Sequence, residues 1–576
     1  MRVEGLKLGG EITLKHKNTT LPVNLNGHYV FPAQQLSSAN LDLQITSQPL
    51  DQACQISKNA PALIPLDNSP VYIYCTYTNT THITMPDTLP NTPLSVNFDW
   101  RTSAYPGIMY ESRPGLVGGI FPYEYRIKSV TFNGAAQATS EFSLDFRRGT
   151  LSFTPTAEGT YAFTFDIKDS GSTQKSIEHT TTIQVSASNF LFVGTNGVDS
   201  TTNGTRNAPY KTLEYAISNS NFNQIIFLRK GTYTATNIRL LDSKAKQFLA
   251  YPEEVVTLDM NKASRITVAS STQPAARIEG IDIINIIQYG IVSDPSKAGL
   301  IVRKVRFVDG EEGPTKSENP AFIHGWGDTS AISRHKFLIQ DNDFGTYVGA
   351  GYATTLFDAG DSLIENNQLR LGKVNGGFHD KDNSQNNVYR ENYIEFSLAN
   401  KTAYGIQISA QANSKNVHMH HNLLINAGIQ LGIQCYQSTC YMRDHDVHHN
   451  TLANGKIGMN WGPFNPTSFG TRASHNIIST GTNPPYGGLS CQSRPTNFAT
   501  QFSASNNLIE SSSSLAFKDS ECSGNDMNWT VWRDTYGMDT LASGSTLTTN
   551  TALIGNGSTT GLPAGDARKS LRGHQY

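Results

Sequence analysis

Charge, long apolar runs and cysteine are all scarce in this 576-residue sequence. Only 16% of the residues are charged and the net charge is −2, which argues against nucleic acid or an anionic membrane as a general partner. No stretch approaches the ~18 apolar residues that a membrane-spanning helix needs. Met1 is not followed by the apolar core of an export signal, so we expect any such signal to have been removed.

The six cysteines contain no Cys-x-x-Cys motif, so a structural zinc site is not expected. They form sequence-near pairs: Cys54 with Cys75, Cys435 with Cys440, and Cys491 with Cys522. An even number in a loop-rich chain predicts disulfides and an oxidising compartment, meaning a secreted, periplasmic or cell-surface protein. Buried thiols remain an alternative for the second pair.

Two N-terminal stretches have the short alternating strands of β-sandwiches. In residues 1–87, Asn26-Gly27 between alternating apolar runs predicts a hairpin. In residues 88–188, alternation over Tyr161–Ile167 predicts a strand with one buried and one solvated face. The first stretch resembles the small Ig-like modules of bacterial surface proteins, and the second resembles their Ig-like or cadherin-like repeats. The resemblance implies a spacing or anchoring role for both.

A ladder of asparagines organises the rest of the chain. Each of seven asparagines stands two positions before an aliphatic or aromatic residue, in a short segment of period-two alternation. The seven are Asn342, Asn367, Asn392, Asn422, Asn450, Asn476 and Asn507. Consecutive members are 25 to 31 residues apart, which is typical of one solenoid turn per asparagine. Stacked at ~4.8 Å per turn, their amides can bond one another, and each can tolerate left-handed geometry at a corner.

Residues 189–576 are therefore predicted to form a parallel β-helix. The segment Phe192-Val-Gly-Thr-Asn-Gly-Val-Asp-Ser resembles the entry to right-handed parallel β-helix proteins such as the pectate- and alginate-lyase-like enzymes. In those proteins a short helix caps the open end, and here Leu213, Ala216 and Ile217 would face inward. The expected fold class is all-β, with two N-terminal Ig-like β-sandwiches followed by a right-handed parallel β-helix.

Function on such a fold must lie on an outer face, because side chains fill the lumen. Segments beginning at Phe322, Gly377, Gly405, Gly432 and Gly458 align upstream of the ladder, and their third and fifth positions should point outward. With Trp461 and Arg390 added, the candidate ligand-contacting residues are His324, Trp326, His379, Lys381, Gln407, Ser409, Gln434, Tyr436 and Asn460. Such groups suit a linear sugar polymer. A solvent-exposed amide ladder explains Gln407 and Gln434 equally well.

The densest polar cluster is His379-Asp-Lys-Asp, which leads into Asn-Ser-Gln-Asn-Asn-Val-Tyr-Arg-Glu-Asn. This segment resembles the lysine-containing segment of polysaccharide lyases of the chondroitinase B and alginate lyase type. The resemblance implies β-elimination on a uronate-containing polysaccharide, with Lys381 as base and His379 or Tyr436 as proton donor. It also implies an assisting arginine one turn on, where this chain has Ser409, so Arg390 and Arg443 are the substitute candidates.

Four aspartates near the lysine are candidate ligands for a calcium ion: Asp358, Asp361, Asp380 and Asp382. Carboxylate oxygens suit Ca²⁺, and a bound cation would cancel negative charge that otherwise disfavours a neutral lysine base. A solvated lysine in a salt-bridge cluster is the alternative interpretation. A second set of polar residues is interpreted as stacked turn residues rather than metal ligands: His420, His421, His445, His448 and His449.

Two other functional classes fit the same sequence. A glycoside hydrolase would use two carboxyl groups ~5–9.5 Å apart, and Asp380 with either Asp358 or Asp382 is the candidate pair. A non-catalytic surface glycan-binding protein or adhesin would need no catalytic residues at all, because fold alone does not determine function.

Overall fold

The computed structural model describes residues 1–16, 18–30, 43–57, 71–78, 80–85, 92–236, 238–270, 272–294, 299–314, 319–326, 335–372, 376–397, 404–409, 413–432, 441–459, 470–488, 502–519 and 526–539. Within these ranges nearly all regular structure is β-strand, which confirms the all-β class. The chain divides into two compact units, Met1–Gly231 with Phe248–Val256, and Thr232–Gln247 with Thr257–Tyr576. The finer division into three domains stays a prediction.

The first unit begins with two small sheets that enclose one apolar core, which includes Val3, Leu14 and Ile73. One sheet contains Arg2–Glu4, Gly27–His28, Gln52–Ile56 and Tyr72–Tyr77, and the other contains Ile12–His16, Thr19–Val23 and Leu43–Ser47. Cys54 and Cys75 pair across adjacent strands and form the predicted disulfide. The other four cysteines lie outside the described residues.

A second group of small sheets surrounds Trp100, Phe163 and Phe165. Its strands are Ser95–Phe98, Ser103–Ala104, Tyr110–Ser112, Gly115–Val117, Glu124–Phe132, Ala135–Gln137, Ser143–Leu144, Leu151–Phe153, Gly159–Lys168 and Ser176–Val185, with 3-10 turns at Thr139–Glu141 and Ala187–Asn189. The predicted alternation is present, because Phe163, Phe165 and Ile167 are buried between partly exposed neighbours. The Ig-like character of both groups stays a prediction.

The first unit also contains one short α-helix, Leu213–Ser218, and the strands Phe190–Val193, Ile225–Leu228 and Gln247–Ala250. The Thr212 side chain caps the helix by accepting a hydrogen bond from the Tyr215 backbone N–H. Leu213, Ala216 and Ile217 are its buried residues, as predicted. No helix in the described ranges is long and apolar enough to cross a membrane.

The second unit is a parallel β-solenoid with three sheets, here named A, B and C. Sheet A contains Ala276–Glu279, Leu300–Arg303, Phe337–Gln340, Leu363–Glu365, Val388–Arg390, His418–His420, Asp446–His448, Thr471–Ser474 and Phe502–Ser505. Sheet B contains Gly231–Thr234, Val256–Asp259, Asp282–Ile284, Arg306–Glu311, Asp343–Val348, Gln368–Gly372, Tyr393–Phe396, Leu423–Ile425, Thr451–Ala453, Ile477–Gly481 and Leu508–Ser511, and Ile286–Ile287 pairs beside it.

Sheet C contains Ile238–Leu241, Ile266–Ala269, Tyr289–Ser293, Ala321–Gly325, Tyr352–Phe357, Gly376–Lys381, Tyr404–Ser409, Gly428–Leu431, Ile457–Met459, Tyr486–Gly488, Leu515–Asp519 and the antiparallel Met527–Asn528. A short parallel pair, Asn413–Lys415 with Tyr441–Arg443, and a π-helical turn, Val531–Thr535, complete the unit. The chain passes through sheets A, B and C once per turn, which confirms the predicted parallel solenoid. Its handedness stays a prediction.

The asparagine ladder lies at the corner between sheets A and B. Each ladder asparagine donates from Nδ2 to the Oδ1 of the next at 2.9 or 3.0 Å, without interruption from Asn342 to Asn507. Asn507 then donates to Asp539 Oδ1 at 2.8 Å. Each Nδ2 also reaches a backbone carbonyl, as Asn367 does at Ile339. The predicted amide stacking is therefore confirmed.

Left-handed geometry at this corner falls on the residue before each ladder asparagine. Asp341, Asn366 and Glu391 have φ values of 62°, 53° and 54°. The expectation that the ladder asparagine itself adopts this geometry is wrong. The backbone N–H and the side chain of the ladder asparagine both form hydrogen bonds to the next ladder asparagine. The left-handed turn therefore falls on the preceding residue.

The lumen is filled by side chains from all three sheets. The Phe378 ring of sheet C lies 5.7 Å from Phe344 of sheet B and 6.4 Å from Tyr389 of sheet A, measured between ring centroids. Because side chains alternate along a strand, the neighbours of Phe378 at positions 379 and 381 face outward. This alternation fixes the outer face of sheet C.

Candidate functional site

Five polar residues stand side by side on consecutive strands of sheet C and form what we name the open row. It consists of His324, Thr355, His379, Gln407 and Gln430. His324, His379 and Gln407 were predicted to share a row, and the structure places them together. All five are buried.

Thr355 and Gln430 were missed by the sequence alignment for two reasons. The segments beginning at Phe322 and Gly377 are two turns apart, and Tyr352–Phe357 is the strand between them. The chain also contains Gly-Ile-Gln twice in succession, and the strand uses the first copy, Gly428–Leu431.

The predicted register beyond Gln407 is therefore wrong. Gln430 pairs with Gln407, four residues earlier than the expected Gln434, and Gly458 pairs with Gln430, two residues earlier than the expected Asn460. The sequence-predicted residues Gln434, Tyr436, Asn460 and Trp461 lie outside the described residues.

The open row carries buried polar atoms that have no hydrogen-bond partner among the described residues. They are His324 Nε2, Thr355 Oγ1, His379 Nδ1 and Gln407 Oε1. A buried polar group left unsatisfied costs about 1–3 kcal/mol, so a run of four on adjacent turns calls for a physical explanation. Water or a polar ligand along the row would satisfy all of them.

A second row, Phe357, Lys381 and Ser409, runs beside the open row on the same face. The Lys381 ammonium lies 4.7 Å from the centre of the Phe357 ring, at cation–π distance. Ser409 Oγ lies 2.8 Å from His379 Nε2. The Ser409 hydroxyl can donate this bond, which would leave the His379 proton on Nδ1, the nitrogen without a partner.

Aromatic rings border the N-terminal end of the open row. His324 lies between Tyr289, Trp326 and Phe357, with ring centroids 4.7, 4.3 and 5.6 Å away. Trp326 remains 40% exposed. An exposed ring beside hydrogen-bonding groups can pack against the apolar face of a sugar while the polar groups bind its hydroxyls.

On the other side of the open row, tyrosine and glycine alternate from turn to turn as Tyr352, Gly376, Tyr404 and Gly428. The absent side chain at Gly376 makes room for the Tyr352 ring, since a Cβ there would lie 2.7 Å from it. That ring also contacts the His379 ring at 4.9 Å. The sequence analysis did not identify this row, although its tyrosines and glycines recur once per solenoid turn, as the ladder asparagines do.

Burial keeps the imidazoles of the open row neutral. Desolvation, reinforced by the Lys381 charge, lowers the pKa of His379 to about 3. Desolvation lowers the pKa of His324 to about 4. A neutral imidazole has one donor and one acceptor nitrogen, so both residues can exchange hydrogen bonds with a ligand at pH 7.

The four aspartates do not converge on one point. Asp380 faces the lumen, where Ser384 Oγ donates to it and Asn387 Nδ2 donates at 2.7 Å. Burial raises the pKa of Asp380 to about 7. It therefore cannot reach a ligand on the outer face, because alternate residues of a strand point to opposite sides.

The other aspartates occupy corners. Asp361 accepts a hydrogen bond from Asn386 Nδ2 at 3.0 Å, and Asp358 accepts one from Asn383 Nδ2 at 2.9 Å. Among the described residues, no group of three or more His, Cys, Asp or Glu side chains could hold a metal ion. The predicted four-aspartate set does not fit one calcium ion, and calcium binding stays a prediction.

Neither candidate arginine lies on the outer face of sheet C. Arg390 belongs to sheet A, where its Nε donates to Glu365 Oε1 at 2.7 Å in a fully buried ion pair. Arg443 lies on the short strand Tyr441–Arg443. The chain has already turned out of sheet C before it reaches either residue, so closeness in sequence to Lys381 does not bring them together.

The second set of histidines forms stacks at the corner after sheet A. The His420 and His448 rings lie 4.8 Å apart at an interplanar angle of 9°. His421, His449 and His475 form a parallel stack with 5.1 Å steps. Four of the five predicted histidines therefore stack at this corner, as interpreted from the sequence. His445 does not belong to these stacks, because it is buried and its Nδ1 accepts a hydrogen bond from the Val417 backbone N–H at 3.2 Å.

No protein-family model and no curated protein sequence matches this chain. Among solved structures, a family 28 exopolygalacturonase of Yersinia enterocolitica is 9% identical with a TM-score of 0.33, and the match covers 76% of this chain and 90% of that one. A candidate alpha-galactosidase of Bacteroides fragilis is 10% identical with a TM-score of 0.15, over 36% of this chain and 57% of that one. Likenesses this weak indicate no function.

Proposed function

We propose that this protein binds a uronate-containing polysaccharide along the outer face of sheet C and cleaves it by β-elimination, with Lys381 as the base. The observation that supports the proposal is the open row of unpartnered, buried polar atoms immediately beside Lys381. An adhesin surface has no use for a buried lysine next to such a row, whereas a proton-transfer site can use one as its base.

A linear polymer fits the repeat of this face. Successive turns present equivalent positions every ~4.8 Å, so a chain lying along the solenoid axis meets a hydrogen-bonding group at each turn. Thr355 and Gln407 offer oxygen acceptors for sugar hydroxyls. Trp326 and Tyr352 supply ring faces at the margins of the row.

The chemistry begins at the carbon next to the uronate carboxylate, C5, whose proton is acidified when hydrogen bonds neutralise that carboxylate. In this scheme His379 Nδ1–H and the Gln407 amide donate those bonds. The fraction of Lys381 that has lost its own proton to solvent takes the C5 proton, a double bond forms between C4 and C5, and the C4–O bond breaks. Lys381, now an ammonium, returns the proton to the leaving oxygen.

This scheme changes the role expected of His379. A group whose pKa lies near 3 is neutral at pH 7, and a neutral imidazole is a poor acid but a good hydrogen-bond donor. In this scheme His379 donates a hydrogen bond that stabilises the negative charge on the carboxylate, and the proton passes through Lys381. Tyr436, outside the described residues, remains the other proposed donor.

Glycoside hydrolysis is the second candidate function, and the Asp382 carboxyl group favours it. Asp382 stands beside Lys381, and burial together with the nearby Asp358 charge raises its pKa to about 6. Asp382 Oδ1 and Asp358 Oδ2 have no hydrogen-bond partner among the described residues. Two close carboxyl groups with one pKa raised are the arrangement that acid–base hydrolysis requires.

One assay with two variants separates these candidates. The protein is incubated with a panel of uronate polymers while unsaturated product is followed by ultraviolet absorbance and new chain ends by reducing-sugar release. For a lyase, Lys381→Ala abolishes the absorbance signal and Asp382→Asn retains it.

Reducing ends without absorbance, lost in Asp382→Asn, would establish the hydrolase instead. Binding without either signal would support the adhesin. A Lys381→Ala variant that forms unsaturated product at the wild-type rate would disprove the proposed base.

A further inference from the structure

The outer face of sheet C changes character toward its C-terminal end. Beyond Gln430 the open row continues in register as Gly458, Gly487 and Lys518. Because the two glycines have no side chains, only backbone atoms line the bottom of the strip between Gln430 and Lys518. We name this strip, with Tyr404 and Lys456 at its margins, the lysine hollow.

The Lys456 side chain lies above the glycine backbone at the bottom of the lysine hollow. Lys456 directly precedes Ile457, which is fully buried in the lumen, so the Lys456 side chain projects to the outside. A Cβ built on Gly487 would lie 3.3 Å from Lys456 Nζ. A Cβ built on Gly458 would lie 3.4 Å from the Tyr404 hydroxyl. The two glycines thus leave space between an ammonium and a phenol.

The charges of the hollow are not balanced within the described part of the chain. No side-chain ion pair or hydrogen bond joins Lys456 or Lys518 to another described residue. Lys456 is partly buried and Lys518 is exposed. Burial, and next the positive charge of Lys518, lower the pKa of Lys456. Among the described side chains no carboxylate pairs with either lysine, so the two positive charges disfavour each other, and an anion between them would relieve this.

We propose that the lysine hollow binds an acidic group, a carboxylate or a sulfate, of the same polysaccharide chain that is cleaved beside Lys381. The inference rests on the proposed function. Gly487 lies four turns beyond His379, or about 19 Å at ~4.8 Å per turn. A polymer long enough to span those turns reaches both sites, whereas a short oligomer at Lys381 does not reach the hollow.

The test measures affinity by isothermal titration calorimetry in the Lys381→Ala background, which prevents cleavage during the titration. Lys456→Gln and Lys518→Gln are introduced together and compared with Lys211→Gln, an exposed lysine of the first unit. The double substitution should weaken the binding of long polyuronate about ten-fold and leave short oligomers unaffected. Carboxylated and sulfated polymers, tested separately, identify the acidic group.

Several outcomes of these measurements would contradict anion binding at the lysine hollow. Equal affinity of the double variant and its background for long acidic polymers would overturn the hollow and leave the proposed function intact. Equal weakening for short or neutral ligands, or loss of thermal stability relative to Lys211→Gln, would also overturn it, because the lysines would then act on the fold. If the protein binds no acidic polymer at all, both proposals fail together.

Discussion

Two rows of side chains on the same solenoid differ in how their polar atoms are satisfied. On sheet A, the paired row places Glu279, Arg303, Gln340, Glu365 and Arg390 side by side. Glu365 there accepts hydrogen bonds from Gln340 and from Arg390, each at 2.7 Å. On sheet C, the open row has the same stacking and comparable burial, but four of its polar atoms have no partner among the described residues.

Because the strand geometry of the two rows is the same, the difference between them comes from the choice of side chains. The paired row combines cations, anions and an amide, so the charged groups of neighbouring turns are paired, although Gln340 Oε1 is buried without a hydrogen-bond partner among the described residues. The open row contains only neutral groups with donors and acceptors, and neighbouring turns do not complement each other. Leaving buried polar atoms unsatisfied lowers stability, and a chain that does so on four adjacent turns is expected to satisfy them with a ligand.

Breaking the paired row should have the largest effect on stability. Arg390→Leu leaves the Glu365 carboxylate buried without its ion-pair partner, which costs about 3–5 kcal/mol. Urea unfolding of the purified variant measures the loss. The double variant Glu365→Leu with Arg390→Leu should recover most of it, because no charge is then stranded. A single variant as stable as wild type would show that the pair is not structural.

Breaking the asparagine ladder should have the next largest effect. Asn392 Oδ1 accepts from the backbone N and from Nδ2 of Asn367, and its own Nδ2 donates to Ile364 O. Asn392→Ala strands these buried groups and should lower the free energy of unfolding by about 2–4 kcal/mol. Asn203→Ala, which removes one exposed hydrogen bond to the Val198 carbonyl, is the control and should lose under about 1 kcal/mol. Equal losses would mean that the ladder contributes no more than an exposed amide.

Removing the Asp382 carboxyl group, which lies beside the open row, should have a smaller effect on stability, and that effect should depend on pH. The pKa of Asp382 is raised to about 6 in the folded protein, above its ordinary value of 3.8. Below pH 4 the group is protonated in both states and costs nothing. Between about pH 4 and pH 6 the unfolded chain has released this proton while the folded chain still holds it, so stability falls across that window and stays lower above pH 6.

Asp382→Asn removes this loss. The variant should match wild type below pH 4 and exceed it above pH 6 by about 1 kcal/mol, a value reduced for solvent screening at a partly exposed group. Thermal unfolding across that pH range measures the difference. A variant less stable than wild type at pH 8 would mean that the carboxylate has a stabilising partner.

The solenoid could be predicted from the sequence because the ladder imposes a strict requirement. Every turn must place an amide at the same corner, so the asparagines recur even where loops lengthen. The register on sheet C has no such marker. The chain between Asn422 and Gln434 offers two Gly-Ile-Gln copies, and the strand uses the first, which directly follows the backbone corner at Asn426 with φ 52°.

The candidate site was predicted in part for the same reason. His379, Lys381 and Ser409 lie within strands whose alternation is regular, so their common face followed from period two. Thr355 was missed because its strand carries no distinctive motif. Arg390 was placed near Lys381 by sequence proximity alone, and the corner between them moves it to sheet A.

The sharpest comparison between the two rows uses one glutamine from each. Both glutamines have a buried Oε1 without a hydrogen-bond partner among the described residues, but Gln340 Nε2 donates to Glu365 in the paired row, whereas Gln407 has no such bond in the open row. Gln340→Leu removes a hydrogen bond to a charged group and should cost about 1.5–3 kcal/mol.

Gln407→Leu removes no hydrogen bond among the described residues and replaces a stranded oxygen by methyl groups. Its free energy of unfolding should stay within about 0.5 kcal/mol of wild type or increase, while affinity for a uronate polymer falls about ten-fold. Urea unfolding and titration calorimetry on both variants test this reversal. If Gln407→Leu is destabilised as much as Gln340→Leu and binds polymer normally, the open row is a structural amide stack and the binding face must lie elsewhere.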